Sequence, residues 1–362
     1  MIGRILLFAF IGLLGCSQRN SDAPPLSHEA YVWQRNWTVP VQEAVVHLPP
    51  EISGLRVLAL EISEKGSGMA WPKVNLEALT RSQQAVTVVV RINGSRIPSD
   101  FSLATLLTKV ESWQTAGVNV VGIEVDHDSA TAGLADYAAW LRTARPPKPL
   151  RFSITTLPTW MKSSNIKKIS QHVDEMVLQV HAIRAPRIFD AKQARIWIHQ
   201  FSRSLGSRPF RIALPTYEVE LDGAIQSADP KEIQSLLGQL KQHRPKGPRG
   251  VVWFRMPVQN DTRAWSASTL SAVISNKRLA SDVQATLVPD GPLLFNVVIE
   301  NRGNLDENWP QLKLTGTIEA VDLTMGYVRD KSGWVAPKRR LVSGEKRIVG
   351  WVRGENVAID VD

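Results

Sequence analysis

The sequence predicts an α/β fold, a (β/α)8 TIM-type barrel, followed by a small C-terminal β-sandwich-like domain. Three observations predict it. Eight strand-like segments recur at regular spacing, helical patterns separate them, and the pattern changes to short strands and turns after about residue 280. The strand candidates are 30–36, 55–62, 85–92, 118–126, 150–156, 174–181, 210–215 and 250–256. Most are rich in β-branched or aromatic residues. Several are nearly continuous apolar runs, as in a parallel sheet covered on both faces.

The helices follow from their end signals. Residues 102–116 carry apolar side chains at helical spacing and stop at Gly117, and 191–205 stop at Gly206. Residues 131–145 end before Pro146-Pro147. Asp229 and Pro230 open a helix as N-cap and first residue, running to about His243, and 264–275 follows the eighth strand. The stretches after strands one, two and five are weaker, and Pro49-Pro50 interrupts the first. The rival architecture is an open doubly wound sheet. It would normally carry a glycine-rich phosphate turn, which the sequence lacks. Beyond residue 280, segments 282–287, 293–300, 311–319 and 347–352 read as strands. Turns at Asp290-Gly291-Pro292, Asn301-Arg302-Gly303-Asn304 and Lys331-Ser332-Gly333 separate them.

The N-terminus reads as a targeting segment. Arg4 precedes an apolar run too short to span a bilayer as a helix, and Leu13-Leu14-Gly15-Cys16 follows. This tetrad resembles the bacterial lipobox. The resemblance implies cleavage before Cys16 and lipidation of its sulfur. The alternative is an ordinary secretory signal with a chance cysteine. Ser17 after the cysteine resembles lipoproteins sorted to the outer membrane, facing the periplasm. The organisation expected is therefore a signal peptide at 1–15, a tether at 16–29, a barrel at 30–280 and a small all-β domain at 281–362. With a single Cys, no intrachain disulfide is available. Lys and Arg number 43 against 34 Asp and Glu, a balance suited to anionic headgroups or acidic polysaccharide. An exported lipoprotein rarely meets nucleic acid, so none is expected as a partner.

The most informative stretch is Val121-Gly122-Ile123-Glu124-Val125-Asp126-His127-Asp128. On a strand, alternate residues share a face, so Glu124, Asp126 and Asp128 form a carboxylate row spaced by about 6.6 Å. At an effective dielectric near 20, neighbouring charges repel by roughly 2–3 kcal/mol, which raises one pKa by about two units. A carboxyl group so raised serves as a general acid. His127 has the wrong parity for the barrel interior. Active sites of such barrels gather at the C-terminal ends of the strands, where this row lies.

Gly122 to Asp128 resembles the strand-four signature of chitinase-type glycoside hydrolases, Asp-Gly-x-Asp-x-Asp-x-Glu. Gly122 and Asp126 match, Val121 stands in place of the first Asp, Glu124 replaces an Asp, and Asp128 replaces the catalytic Glu. From Tyr31 onward, the chain resembles more closely an uncharacterised bacterial family of barrel lipoproteins known as a domain of unknown function. Tyr31-Val32-Trp33-Gln34-Arg35 and the strand-four acids carry that likeness. The first resemblance implies Asp128 as proton donor with Asp126 as its partner and Glu124 as a deeper residue tuning charge. Glu61, at the end of strand two, is the other candidate partner. Asp is one methylene shorter than Glu, and strand six lacks the Tyr with which chitinase-type enzymes hold an N-acetyl group. Substrate-assisted cleavage is therefore not implied.

Arg35, Arg91 and Arg255, near strand ends, either clamp a substrate carboxylate or pair with the acids. Gln179 and His181 share a strand face at the end of strand six, where His181 would bond a sugar hydroxyl, orient an acid or simply tie down a loop. Trp33, Trp160, Tyr217 and Trp253 are candidate cleft aromatics, with barrel core as the plain alternative. Trp253 resembles the Trp that floors the sugar site of chitinase-type barrels, with Arg255 placed on its face. No His or Cys spacing supports zinc, Mg²⁺ or Ca²⁺ held by the acids and His181 is the lesser alternative, and no cofactor is expected. The expectation is a cell-envelope lipoprotein whose barrel binds a polysaccharide or glycoconjugate, with hydrolysis by the strand-four acids as its catalytic form. The alternative is a non-catalytic carbohydrate-binding or envelope-assembly protein on the same scaffold.

Overall fold

The computed structural model describes residues 24–63, 68–99, 101–181, 187–206, 208–221, 223–331 and 333–361. The expected signal peptide, Cys16 and the first part of the tether lie outside them. Eight parallel strands form the barrel: β1 Ser27–Val32, β2 Ile52–Ile62, β3 Ala85–Ile92, β4 Val120–His127, β5 Arg151–Thr156, β6 Glu175–Gln179, β7 Phe210–Pro215 and β8 Pro248–Phe254. Each pairs with the next, and β1 pairs with both β2 and β8, so the sheet closes. Eight helices follow their strands in turn: α1 Val39–Val46, α2 Leu76–Ser82, α3 Ala104–Thr115, α4 Leu134–Thr143, α5 Asn165–His172, α6 Ala191–Leu205, α7 Pro230–Gln242 and α8 Ala267–Ile274. The Asp229 side chain caps α7 as its residue type predicts, accepting from Lys231 N. Among the described residues, no helix is long and apolar enough to cross a membrane.

The strand alternation sorts side chains into an outer core and a barrel interior. Val57, Leu60, Val88, Ile123, Val125 and Ile154 face outward into one continuous apolar core with the helices. The interior is layered. Its lower layer is ionic: Arg56 donates through Nε to Glu29 and through Nη2 to Glu175, both at 2.7 Å, and through Nη1 to Glu124. Arg211 pairs with the same Glu29 at 2.8 Å and Glu175 at 2.9 Å, closing a ring of two cations and two anions. Above it sits an apolar plug of Tyr31, Val89, Val177, Ala213 and Val252. Gly250 leaves the room Arg211 needs, because a Cβ there would lie 2.1 Å from Arg211 Nη1 and 2.6 Å from Ser27 O.

This layering corrects the tether boundary. The polar run Ser27-His28-Glu29 reads as solvated linker, yet it opens β1. Glu29 points inward to Arg56 and Arg211, Ser27 Oγ accepts from Arg211 Nη1 at 2.8 Å, and His28 lies outside against Trp253.

The C-terminal part has its own core around Val297, Ile299, Trp309, Leu312, Leu341 and Val349. Four strands, β9 Val283–Gly291, β10 Leu294–Asn301, β11 Leu312–Leu323 and β12 Lys346–Val361, belong to one six-stranded antiparallel sheet in the order β9-β10-β12-β11 with two short strands beyond. A two-stranded ribbon, Glu307–Asn308 with Arg340–Leu341, completes it. The expectation of a sandwich is thus met by unequal sheets. Asp306 fastens this part to the barrel, its carboxylate accepting from Ser266 N at 2.6 Å, Ser266 Oγ at 2.7 Å and Ser343 N at 2.9 Å.

The ionic layer generates a stability prediction. Arg56→Met would leave the buried Glu124 without its cation and the half-buried Glu29 and Glu175 with Arg211 alone, and should cost about 3–5 kcal/mol in urea unfolding. Adding Glu124→Gln should recover part of that loss, and strictly additive effects would show that the two side chains are not coupled.

Candidate functional site

The strand-four acids do project from one face, as their spacing predicts, but they reach different depths. Glu124 is 0% exposed, level with the ionic layer. Tyr31 OH donates to its Oε1 at 2.7 Å, while Arg56 Nη1 and Ser153 Oγ (3.2 Å) donate to Oε2. Burial raises its pKa, against the opposing pull of Arg56. Of the three acids expected at the rim, Glu124, read as the deeper one, lies below the mouth altogether. Counting three alternate residues back from a strand's end brings the chain below the apolar plug.

Asp126 lies one layer up and is 4% exposed. Arg91 Nη1 donates to its Oδ2 at 2.8 Å and Thr155 Oγ1 to its Oδ1 at 2.7 Å. Burial raises its pKa, Arg91 opposes the rise, and the Asp128 charge adds to it. Asp128, beyond the end of β4, is 32% exposed at its side chain and takes the other fork of Arg91, Nη2 to Oδ2 at 2.8 Å. Its Oδ1 is buried and has no hydrogen-bond partner among the described residues.

A second orphan atom faces the same charge. His181, just past β6, has a buried Nδ1 without a partner among the described residues, and the Asp128 charge acts on its ring. Burial lowers the His181 pKa to about 4, so the imidazole is neutral at physiological pH. Its ring stacks on Phe254 at 5.9 Å and meets Tyr217 edge-on at 6.0 Å. Phe254 also meets Trp33 at 5.3 Å and Tyr217 at 5.6 Å. Trp33, Phe254 and Tyr217 are half-buried, so they present an aromatic wall at the mouth beside the orphan polar atoms. Gln179, half-buried on the His181 face of β6, lies one step below.

The remaining candidates are at the rim or elsewhere. Glu61 reaches the rim through a bulge: the register with β3 slips between Leu58 and Leu60, which turns Glu61 inward while Leu60 and Ile62 stay in the outer core. Arg35 grips both its oxygens from a side chain 64% exposed. Arg255 donates to Asp261 through Nε at 2.9 Å and through Nη2 at 2.5 Å. Trp253 is corrected outright. It is 0% exposed in the outer core, its Nε1 donating to His28 Nδ1 at 3.2 Å and its ring tilted against Trp265. Trp160 is likewise buried, bonded to Ser129 O. His127 faces the helices, against Tyr137, as its parity requires.

Sequence reasoning missed Phe254, Thr155 and Arg56. The first was legible, since Val252 is buried between strands and Phe254 shares its face. Among the described residues, no group of His, Cys, Asp and Glu side chains is arranged to hold a metal ion.

Comparison with known proteins adds two findings. A family model described as a domain of unknown function (DUF3142) matches residues 82–227, the span from the end of α2 through the hairpin after β7. No curated protein matches the chain. Among solved structures, the spore cortex-lytic enzyme SleL of Bacillus cereus superposes with a TM-score of 0.51 at 13% identity, covering 71% of this chain and 75% of that one. A chitinase from Bacteroides thetaiotaomicron superposes at 0.49 and 10% identity, covering 69% and 97%. One from Chromobacterium violaceum does so at 0.47 and 9% identity, covering 69% and 98%. The likeness to SleL shows the fold: a closed (β/α)8 barrel.

Proposed function

We propose that the barrel mouth binds a saccharide chain, with Asp128 and His181 as its polar anchors and Trp33, Phe254 and Tyr217 as its stacking surface. One observation carries this reading. Two buried polar atoms at the mouth, an acceptor on Asp128 and a ring nitrogen on His181, are without partners among the described residues, and such atoms are costly unless a guest satisfies them. A hydroxyl does both jobs at once, donating to the carboxylate and accepting from a neutral imidazole N–H. Sugars supply adjacent hydroxyls on a ring whose apolar face fits aromatic side chains. The glycoside-hydrolase-like fold and the spore cortex-lytic function of SleL support the same ligand class.

Hydrolysis is the second reading, favoured by the raised pKa of Asp126, which makes it the mouth's candidate proton store. Against it, the mouth carboxylates Glu61, Asp126, Asp128 and Asp261 are each held by an arginine. A glycosidase needs a free acid and a free base or nucleophile on either side of the bond. The chain's place in the cell forms part of the same proposal: Cys16 carries a lipid that anchors the barrel to the outer membrane, facing the periplasm.

Three measurements test this. Titration calorimetry against a panel of envelope polysaccharides should find a ligand whose affinity falls about tenfold in Asp128→Asn and also falls in Trp33→Ala, with no reducing ends released. Release of reducing ends, abolished by Asp126→Asn or Asp128→Asn, would instead establish the hydrolytic reading. Failure of the whole panel to bind would end both. The depressed pKa of His181 has a definite sign. Its contribution to stability is complete above pH 6.5 and is lost as pH falls toward about 4, so His181→Gln should flatten the unfolding free energy across that window. In fractionated cells, Cys16→Ser should move the protein from the membrane pellet to the soluble fraction, and unchanged partitioning would remove the lipid anchor.

A further inference from the structure

A second concavity lies beside the mouth. The hairpin Glu218–Leu221 with Ala224–Ser227, which follows β7, and the ribbon of the C-terminal part enclose an open cleft of about 1040 Å³. Four of its described lining residues are cationic: Arg263, Lys338, Arg339 and Arg340. Glu218 is the one acid among them, and Arg340 already holds it at 2.8 Å. Arg339 rests over the Trp309 ring, 5.0 Å from its centroid. Trp309 in turn donates its backbone N to Arg339 O at 3.0 Å and its Nε1 to Arg340 O at 3.1 Å, so a core residue pins the backbone that presents both arginines. Arg263 and Lys338 are exposed, and no described carboxylate pairs with either of them or with Arg339. Several unneutralised cations on a fixed backbone in one cleft make a field that favours an anionic guest.

The cleft adjoins the mouth. Glu218 follows Tyr217, whose ring meets His181, and Glu218 N donates to Arg263 O at 2.8 Å. Tyr217 pairs with Ala264, the neighbour of Arg263, so the backbone that carries the mouth's Tyr217 also carries the cleft's Glu218 and Arg263. From this we infer that the cleft is an anion subsite, taking the carboxylate or phosphate substituents of a glycan whose neighbouring ring occupies the mouth. The inference rests on the saccharide reading and narrows it to anionic glycans.

Calorimetry with the intact protein tests it using three probes: an oligogalacturonate, its carboxyl-reduced neutral counterpart, and a phosphorylated oligosaccharide. At low ionic strength, at least one charged probe should bind about tenfold tighter than the neutral one, and rising salt should close the gap. The double variant Arg263→Gln, Lys338→Gln should erase that preference, whereas Asp128→Asn should weaken charged and neutral forms alike. Which charged probe shows the gap distinguishes a carboxylate from a phosphate subsite. Equal binding of charged and neutral forms, unmoved by the double variant, would overturn the inference and leave the saccharide reading intact. Binding of inorganic polyphosphate that depends on Arg263 and Lys338, with no sugar bound at all, would overturn both the saccharide reading and the glycan subsite.

Discussion

The barrel is organised around one guanidinium. Arg56, on the second strand, reaches carboxylates on the first, fourth and sixth strands, so a single side chain ties four of the eight staves across the interior. Its own pKa is held far above the usual range. Burial would lower it, but Glu124, Glu29 and Glu175 together outweigh that. Glu29 shows the reciprocal effect: burial pushes its pKa up, while Arg56 and Arg211 outweigh burial and hold it below the usual carboxylate range. Buried ion pairs are often no more stabilising than an apolar core of the same volume. What this ring contributes is specificity of register, because each charge has partners at one stagger of the strands and none at the next.

That interior decides where function can be. The plug of Tyr31, Val89, Val177, Ala213 and Val252 separates the ionic layer from the mouth. Polar groups below it are satisfied by one another. Above it, Asp128 Oδ1 and His181 Nδ1 are buried and unsatisfied among the described residues. Tyr31 spans the boundary, with its hydroxyl on Glu124 below and its ring against Trp33 and Phe254 above. The rigid lower half thereby positions the aromatic wall, a division of labour common in barrels whose stability and chemistry sit at opposite ends.

The strands, helices and closure were legible in the sequence because apolar alternation and end signals are local. Asp229 before Pro230 sets the start of α7, and Gly206 the stop of α6, without help from anything distant. The site was legible only in part, because it depends on parity, and parity fails wherever the chain slips. The bulge beside Ala59 restores Glu61 to the rim, and no residue type announces it. Trp253 and Phe254 are adjacent large aromatics at the end of a strand. Choosing between them required the register of β8, which β1 and β7 fix. Ser27-His28-Glu29 looked like linker because their partners, Arg211 and Arg56, are distant in sequence. Polarity alone does not distinguish a solvated residue from one that completes a buried ion ring.

The same geometry weighs on the choice between holding a sugar and cutting one. Arg91 carries one positive charge for two aspartates, so the trio is electrically balanced when one of the pair keeps its proton. Burial raises the pKa of Asp126, against the pull of Arg91. Yet both Asp126 oxygens are engaged, by Thr155 and Arg91, and the residue is almost wholly enclosed. A proton stored there has no open route to a glycosidic oxygen. Asp128 has the free oxygen and the exposure, and its other oxygen accepts from Arg91 Nη2. The carboxyl group whose pKa burial raises is out of reach, and the group within reach is already tied to Arg91. This division favours the proposed binding reading over the hydrolytic one.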